Sequence, residues 1–144
     1  DLPLEARFKT DPDDNGIDQG IAELKFDDSN WGTIRIDEFW QHQGFDGYYD
    51  VGWYRLRFEA PDPLPAGRKI HLAFGRSDER TEIFLDGVSL FKWDNWHEPF
   101  LVNVTEHLRP GQQYLLVVKV FGGKGVRWVG VTCKITRPCA VQKI

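Results

Sequence analysis

The stretch Gly52-Trp53-Tyr54-Arg55-Leu56-Arg57-Phe58 decides the fold. Tyr54, Leu56 and Phe58 alternate with Trp53, Arg55 and Arg57, so an extended chain turns one apolar face and one face carrying an indole and two guanidinium groups. The pattern predicts a half-buried strand whose second face keeps aromatic and cationic chemistry. Such groups suit saccharides, because rings cover sugar C–H faces and forked donors reach hydroxyls. A buried Arg55 would instead need a carboxylate, and the structural ion pair is the favoured reading of that residue.

Outward from this strand, short alternating or β-branched runs predict further strands over Thr33–Ile36, Lys69–Phe74, Thr81–Leu85, Leu101–Val104, Tyr114–Phe121 and Trp128–Thr136. The central strand itself is expected over Trp53–Glu59. Asp86-Gly87 is a tight hairpin signal between Ile83-Phe84-Leu85 and Ser89-Leu90-Phe91. The proline-rich run from Pro61 to Gly67 reads as a stiff crossover loop, and Thr105–Leu108 as a single helical turn. Helical periodicity is otherwise nearly absent. The expected class is all-β: a two-sheet antiparallel β-sandwich of jelly-roll type.

A chain of 144 residues is expected to form one domain over 1–144, burying about 70% of its unfolded surface. The net charge of −4, with scattered basic residues, offers no footprint for nucleic acid. No run of about eighteen apolar residues provides a membrane-spanning helix. Without methionine or a leader, the chain reads as a mature or excised piece of something longer. Cys133 and Cys139 would lie about 20 Å apart if extended, beyond disulfide reach. A turn near Pro138 would close the pair; a buried thiol at Cys133 and a loose one at Cys139 is the alternative.

Two long loops hold most of the remaining chemistry. In 91–100, Trp93 and Trp96 can splay two rings to one side, with Asp94, Asn95, His97 and Glu98 beside them. In 37–51, Trp40, His42, Tyr48 and Tyr49 gather around Gly44 and Gly47. Either set makes a ligand platform or a packed aromatic plug. Arg127 and Trp128 follow the turn Gly122-Gly123-Lys124-Gly125, and Trp128 is expected to face away from the core. Arg76 and Asp78 lie in a polar turn, where they contact ligand or pair in solvent. The run from Asp11 to Gly16 opens like a calcium loop, but Ala22 occupies the twelfth position and Glu23 is displaced by one. An acidic turn is the default there. No cofactor is required, while a structural calcium is compatible with the sequence. The four histidines lack zinc spacing.

Taken together, Asp27-Asp28-Ser29-Asn30-Trp31, Ile34-Arg35-Ile36, Trp40, Gly47 and Gly52-Trp53-Tyr54-Arg55 resemble the non-catalytic sugar-binding domain of family 2 glycoside hydrolases and related galactose-binding-like modules. The resemblance continues through Leu72–Gly75, Ile83–Gly87, Pro99-Phe100, Val104-Thr105, Leu108–Gly111 and Gly122-Gly123, and covers about Phe8 to Ile135. Ile21 departs from it, since many relatives carry tryptophan there. The resemblance implies an accessory domain of a carbohydrate-active protein rather than its catalytic barrel.

Two functions therefore stand first. One is a non-catalytic carbohydrate-binding module for a poly- or oligosaccharide, appended to a secreted or periplasmic enzyme. Its ligand residues would come from Trp93, Trp96, His97, Asn95, Trp40, Tyr49, Trp128, Arg127, Arg76, Asp78 and Glu98. The other is a structural domain docked on the catalytic domain of a parent glycoside hydrolase. An enzyme would need paired carboxylates, and Asp46 and Glu98, one in each loop, are a conceivable pair. A lyase would need His42 or Tyr49 as base with Arg127 as charge neutraliser, and no motif makes either arrangement specific.

Overall fold

The computed structural model describes residues 2–75, 80–95, 98–122 and 133–136. Among the described residues nine strands form two antiparallel sheets: β1 (Glu5–Asp11), β2 (Gly32–Arg35), β3 (Val51–Glu59), β4 (His71–Phe74), β5 (Arg80–Leu85), β6 (Val88–Trp93), β7 (Phe100–Asn103), β8 (Gln113–Phe121) and β9 (Cys133–Thr136). The larger sheet runs β2-β1-β3-β8-β5-β6 and the smaller β7-β4-β9. This is the all-β sandwich that alternation predicts. Single 3-10 turns at Trp40–Gln43 and Thr105–His107 interrupt the connections, the second where a single helical turn is expected.

Strand β3 organises the larger sheet, pairing along its length with β8 and with β1 over Val51–Arg55. Its even residues Tyr54, Leu56 and Phe58 join Leu116, Val118 and Val120 of β8, Ile83 and Leu85 of β5, and Leu72, Phe74 and Val102 of the smaller sheet in the inter-sheet core. The turn between β5 and β6 places Asp86 and Gly87 at φ 48° and 84°, a left-handed pair that matches the Asp-Gly hairpin signal. Strand β1 is the element that alternation missed. Only Ala6 and Phe8 mark its inner face, between charged neighbours that read as loop.

The odd residues of β3 correct a second expectation. Their face is not open, because residues 12–31, the connection from β1 to β2, lie across it as a strap. Ile21, Ala22 and Trp31 of the strap pack with Trp53, Phe84, Leu115 and Val117 into a second apolar cluster. Ile21, where relatives carry tryptophan, is a core position here. The sheet is therefore covered on both faces at its centre, and β8 is buried from Tyr114 to Val120.

Polar groups fasten the strap. Arg55, 1% exposed, donates from Nε to Asp28 Oδ2 at 2.7 Å, from Nη1 to the Ile21 carbonyl and to Glu23 O at 3.1 Å, and from Nη2 to Phe26 O at 3.2 Å. The structural ion pair expected of Arg55 is present. Trp53 Nε1 donates to Asp11 Oδ2 at 2.9 Å, and Lys119 Nζ meets Asp14 Oδ1 at 2.5 Å with its ammonium 5.3 Å from the Trp53 ring. Gly16 must be glycine: a Cβ there would sit 2.6 Å from Trp53 Nε1 and 2.8 Å from Asp11 Oδ2.

Removing one partner of a buried ion pair strands the other charge, which costs about 3–5 kcal/mol. Asp28→Ala is accordingly expected to lower unfolding stability by about 3 kcal/mol in urea titration. Tyr54 gives the opposite case, since its hydroxyl is buried with no hydrogen-bond partner among the described residues. Tyr54→Phe is expected to be neutral or to raise stability by about 1 kcal/mol, because it removes an unsatisfied polar group.

Candidate functional site

Strand register gathers the candidate loops at one end of the sandwich. Val51 lies opposite Asp11 and Phe121, Phe121 opposite Arg80, and Trp93 opposite Thr81. The smaller sheet reaches the same end through Phe74 and Phe100, because Phe100 stacks on Trp93 at 5.2 Å and on Phe91 at 5.7 Å. The sheets are thus bridged here by a ladder of rings.

Trp93 is half-buried in that ladder. Phe100 and Phe91 lie near-parallel to it, at 28° and 21°, and its Nε1 donates to Asn95 O at 2.6 Å. Its hydrogen-bonding edge is already occupied, and only ring surface is left for a partner. Asn95 is half-buried and Glu98 is exposed. Tyr49 is half-buried, and its carbonyl packs against Gly122, whose N–H donates to Asp50 O at 3.0 Å. Arg80 stands over the Phe121 ring at 4.2 Å. Trp96, His97, Arg76, Asp78, Arg127, Trp128 and Cys139 lie outside the described residues, and so do the side chains of Cys133 and its strand.

Trp40, a candidate ligand ring, is corrected to the other alternative, the packed plug: it is fully enclosed between the sheets, 5.4 Å from Phe8 and stacked at 6.4 Å on Tyr54. Its Nε1 donates to Tyr48 O at 3.2 Å. The cause is the 3-10 turn that begins at Trp40 and ends at Gly44, φ 98°, which folds 37–51 back into the core. Gly52 has no room for a side chain because Trp40 and Phe8 fill the space. Tyr48 is structural too: its hydroxyl donates to Val51 O at 2.5 Å and accepts from Asp11 N at 3.0 Å, and burial pushes its pKa up to about 12. His42 sits outside this plug, 2.9 Å from Glu38 Oε1.

The calcium-like run is spent on fastening the strap. Asp11 Oδ1 accepts from Asn15 N at 3.1 Å, and Oδ2 accepts from Gly16 N and Trp53 Nε1, both at 2.9 Å. Both carboxylate oxygens thus tie the strap to the sheet. Among the described residues no group of three or more His, Cys, Asp or Glu side chains is placed to hold a metal. Burial pushes the Asp11 carboxyl up, but the Trp53 indole, the N–H groups of Gly16 and Asn15, and Lys119 outweigh it and hold the carboxyl below its ordinary range.

A feature that sequence reading missed lies at the opposite end. The crossover loop and the 3-10 turn at Thr105 enclose an open cleft of about 320 Å³ between Leu64, Pro65, Arg68, Lys69, Ile70 and Thr105. The proline run signalled a stiff loop, while its packing against a turn some forty residues later carried no local signature.

The fold and its ring-bridged end define a galactose-binding-like β-sandwich. Residues 47–121 match the family described as glycosyl hydrolase 2 galactose-binding domain-like, and the chain belongs to that family. A β-glucuronidase of Formosa agariphila is 26% identical over 116 residues, covering 72% of this chain and 12% of the relative. The β-glucuronidase of Ruminococcus gnavus superposes with a TM-score of 0.71 at 21% identity, over 82% of this chain and 20% of that one. The same enzyme in complex with D-glucuronic acid superposes equally well, also at 0.71. At this identity the superpositions establish the fold. The chain spans a minor part of each relative's length.

The lowered Asp11 pKa has a consequence with a definite sign. A carboxyl depressed in the folded state stabilises above its unfolded pKa, about 3.9, and that contribution is lost as pH falls through the lower folded value. Asp11→Ala is expected to lose about 2 kcal/mol at neutral pH, where three hydrogen bonds to a charged acceptor disappear. Thermal unfolding at pH 7 and pH 3 should show the gap between variant and parent narrowing in acid.

Proposed function

We propose that this chain is a non-catalytic accessory domain of a family 2 glycoside hydrolase of the β-glucuronidase kind, seated against the catalytic part of that enzyme by its Trp93 end. The observation that carries the reading is the enclosure of Trp31, Trp40 and Trp53, which are 8%, 0% and 0% exposed. These rings build the sandwich and fasten its strap, so they present no saccharide platform. The small share of each relative that the chain spans, 12% and 20%, fits a domain working beside a larger catalytic body. The half-buried Trp93, Tyr49 and Phe121 would form the docking end, since rings with one edge satisfied and one surface uncovered suit a protein interface. The proposal extends to a secreted or periplasmic parent, where polysaccharides too large to enter a cell are met.

One observation favours carbohydrate binding at the same end as a second reading. Trp93 is half-buried and keeps ring surface outside its stack with Phe91 and Phe100. Retention of the 144-residue chain on gels containing neutral and acidic polysaccharides separates the two. Under the docking reading, Trp93→Ala and Trp96→Ala leave retention unchanged on every gel. Loss of retention in either variant, with an unaltered unfolding midpoint, would overturn docking in favour of a binding module. Trp40→Ala serves as the structural control, and is expected to lose about 3–5 kcal/mol of stability as a core truncation.

A further inference from the structure

The cleft at the Glu59 end, remote from the Trp93 ladder, combines three features. Its size, about 320 Å³, lies at the lower end of the range for small-molecule sites. Its lining carries two cations, Arg68 and Lys69, and no carboxylate, although the chain as a whole has a net charge of −4. Both cations are exposed, and neither meets an acidic side chain among the described residues. The surface cations Arg35, Lys25 and Lys92 each have a carboxylate within 3.5 Å. Exposed Arg7, Lys9, Arg80 and Arg109 likewise meet no carboxylate among the described residues, so the cleft pair is set apart by the apolar wall beside it and not by its lack of acidic partners.

The wall behind them is held in place. Thr105 Oγ1 accepts from Ile70 N at 2.8 Å and donates to Asn103 Oδ1 at 2.7 Å, and Val104 N donates to Ile70 O at 2.9 Å. Leu64 packs against the main core, and Ile70 is part of it. The apolar lining of Leu64, Pro65 and Ile70 is thus tied to the scaffold, with the two cations at its side. A bare anion has no use for such a lining, and an open cleft of about 320 Å³ has room for a sugar ring. A carboxylated sugar uses every part of it. Its C–H face lies on Leu64 and Pro65, and its carboxylate takes the guanidinium fork and the ammonium.

We propose that the cleft between the crossover loop and Thr105 is a second binding site, specific for uronate-bearing saccharides, with Arg68 and Lys69 holding the carboxylate. It goes beyond the docking reading and does not depend on it, because the cleft lies at the end opposite Trp93. In a docked domain it would keep an acidic polysaccharide close to the parent enzyme through effective concentration.

Calorimetric titration of the 144-residue chain tests this with three probes: an oligosaccharide containing D-glucuronate, a neutral gluco-oligosaccharide of equal length, and inorganic phosphate. The acidic oligosaccharide is expected to bind at least about tenfold more tightly than the neutral one, and less tightly as salt is raised. Arg68→Gln with Lys69→Gln should remove that preference at least about tenfold, while the unfolding midpoint stays put because both side chains are exposed. Equal affinity for the neutral oligosaccharide, or undiminished binding by the double variant, would overturn the proposal. Phosphate binding as strong as the oligosaccharide's would also overturn it, since charge alone would then suffice. Trp93→Ala keeps the two proposals apart. Binding lost in that variant but kept in the double variant sinks both the cleft and the docking reading, whereas loss only in the double variant leaves docking untouched.

Discussion

One buried guanidinium holds this sandwich in its present form. Arg55 stands on the outer face of the central strand with no solvent to share its charge, and Asp28, Ile21, Glu23 and Phe26 together accept its hydrogen bonds. All four partners come from the 12–31 strap. A cation buried this deeply is tolerable only when its donors are met by fixed acceptors. The strap must therefore adopt one path, and in doing so it brings Ile21, Ala22 and Trp31 over Trp53 and Val117. A connection that would otherwise be a long exposed loop becomes a third layer.

That layer changes what the aromatic residues can do. Tryptophan at the edge of a β-sandwich is suited to saccharides when one ring face is left to solvent. Here the strap covers Trp53 and buries its own Trp31 against the sheet, and the folded-back 37–51 connection draws in Trp40. Those indoles contribute area and tethering hydrogen bonds to the scaffold. What remains for interaction is divided between two ends of different character. One end is aromatic, centred on the half-buried Trp93 with Phe91 and Phe100 behind it. The other is a small cationic cleft with an apolar lining. Distinct chemistry at the two ends would let one domain hold a protein partner and an acidic chain at once.

The two-layered architecture was legible because its information is local and repeated. Alternation in Tyr54-Leu56-Phe58, in Leu116-Val118-Val120 and in Ile70-Leu72-Phe74 marks core faces directly, and Asp86-Gly87 marks a hairpin by the left-handed conformation its turn demands. Arg55 was also readable as one half of an ion pair, since a guanidinium buried on the same strand face as Trp53 needs a carboxylate. Strand β1 escaped notice because Ala6 and Phe8 alone carry its inward pattern, and pairing with β2 and β3 supplies what alternation does not.

The amino-acid order by itself determined most of the strands, the residues of β3, β4 and β8 that face the inter-sheet core, and the family to which the chain belongs. These rest on periodicity and turn chemistry, which act within a few residues. Only the tertiary structure decided which rings are covered, because Trp40 and Trp53 lose solvent to segments remote in sequence or folded back from a turn. It also decided that Asp11 holds an indole, and that Arg68 and Lys69 share a cleft with Thr105. Coverage and convergence depend on distant parts of the chain meeting in space, and no local pattern records such a meeting.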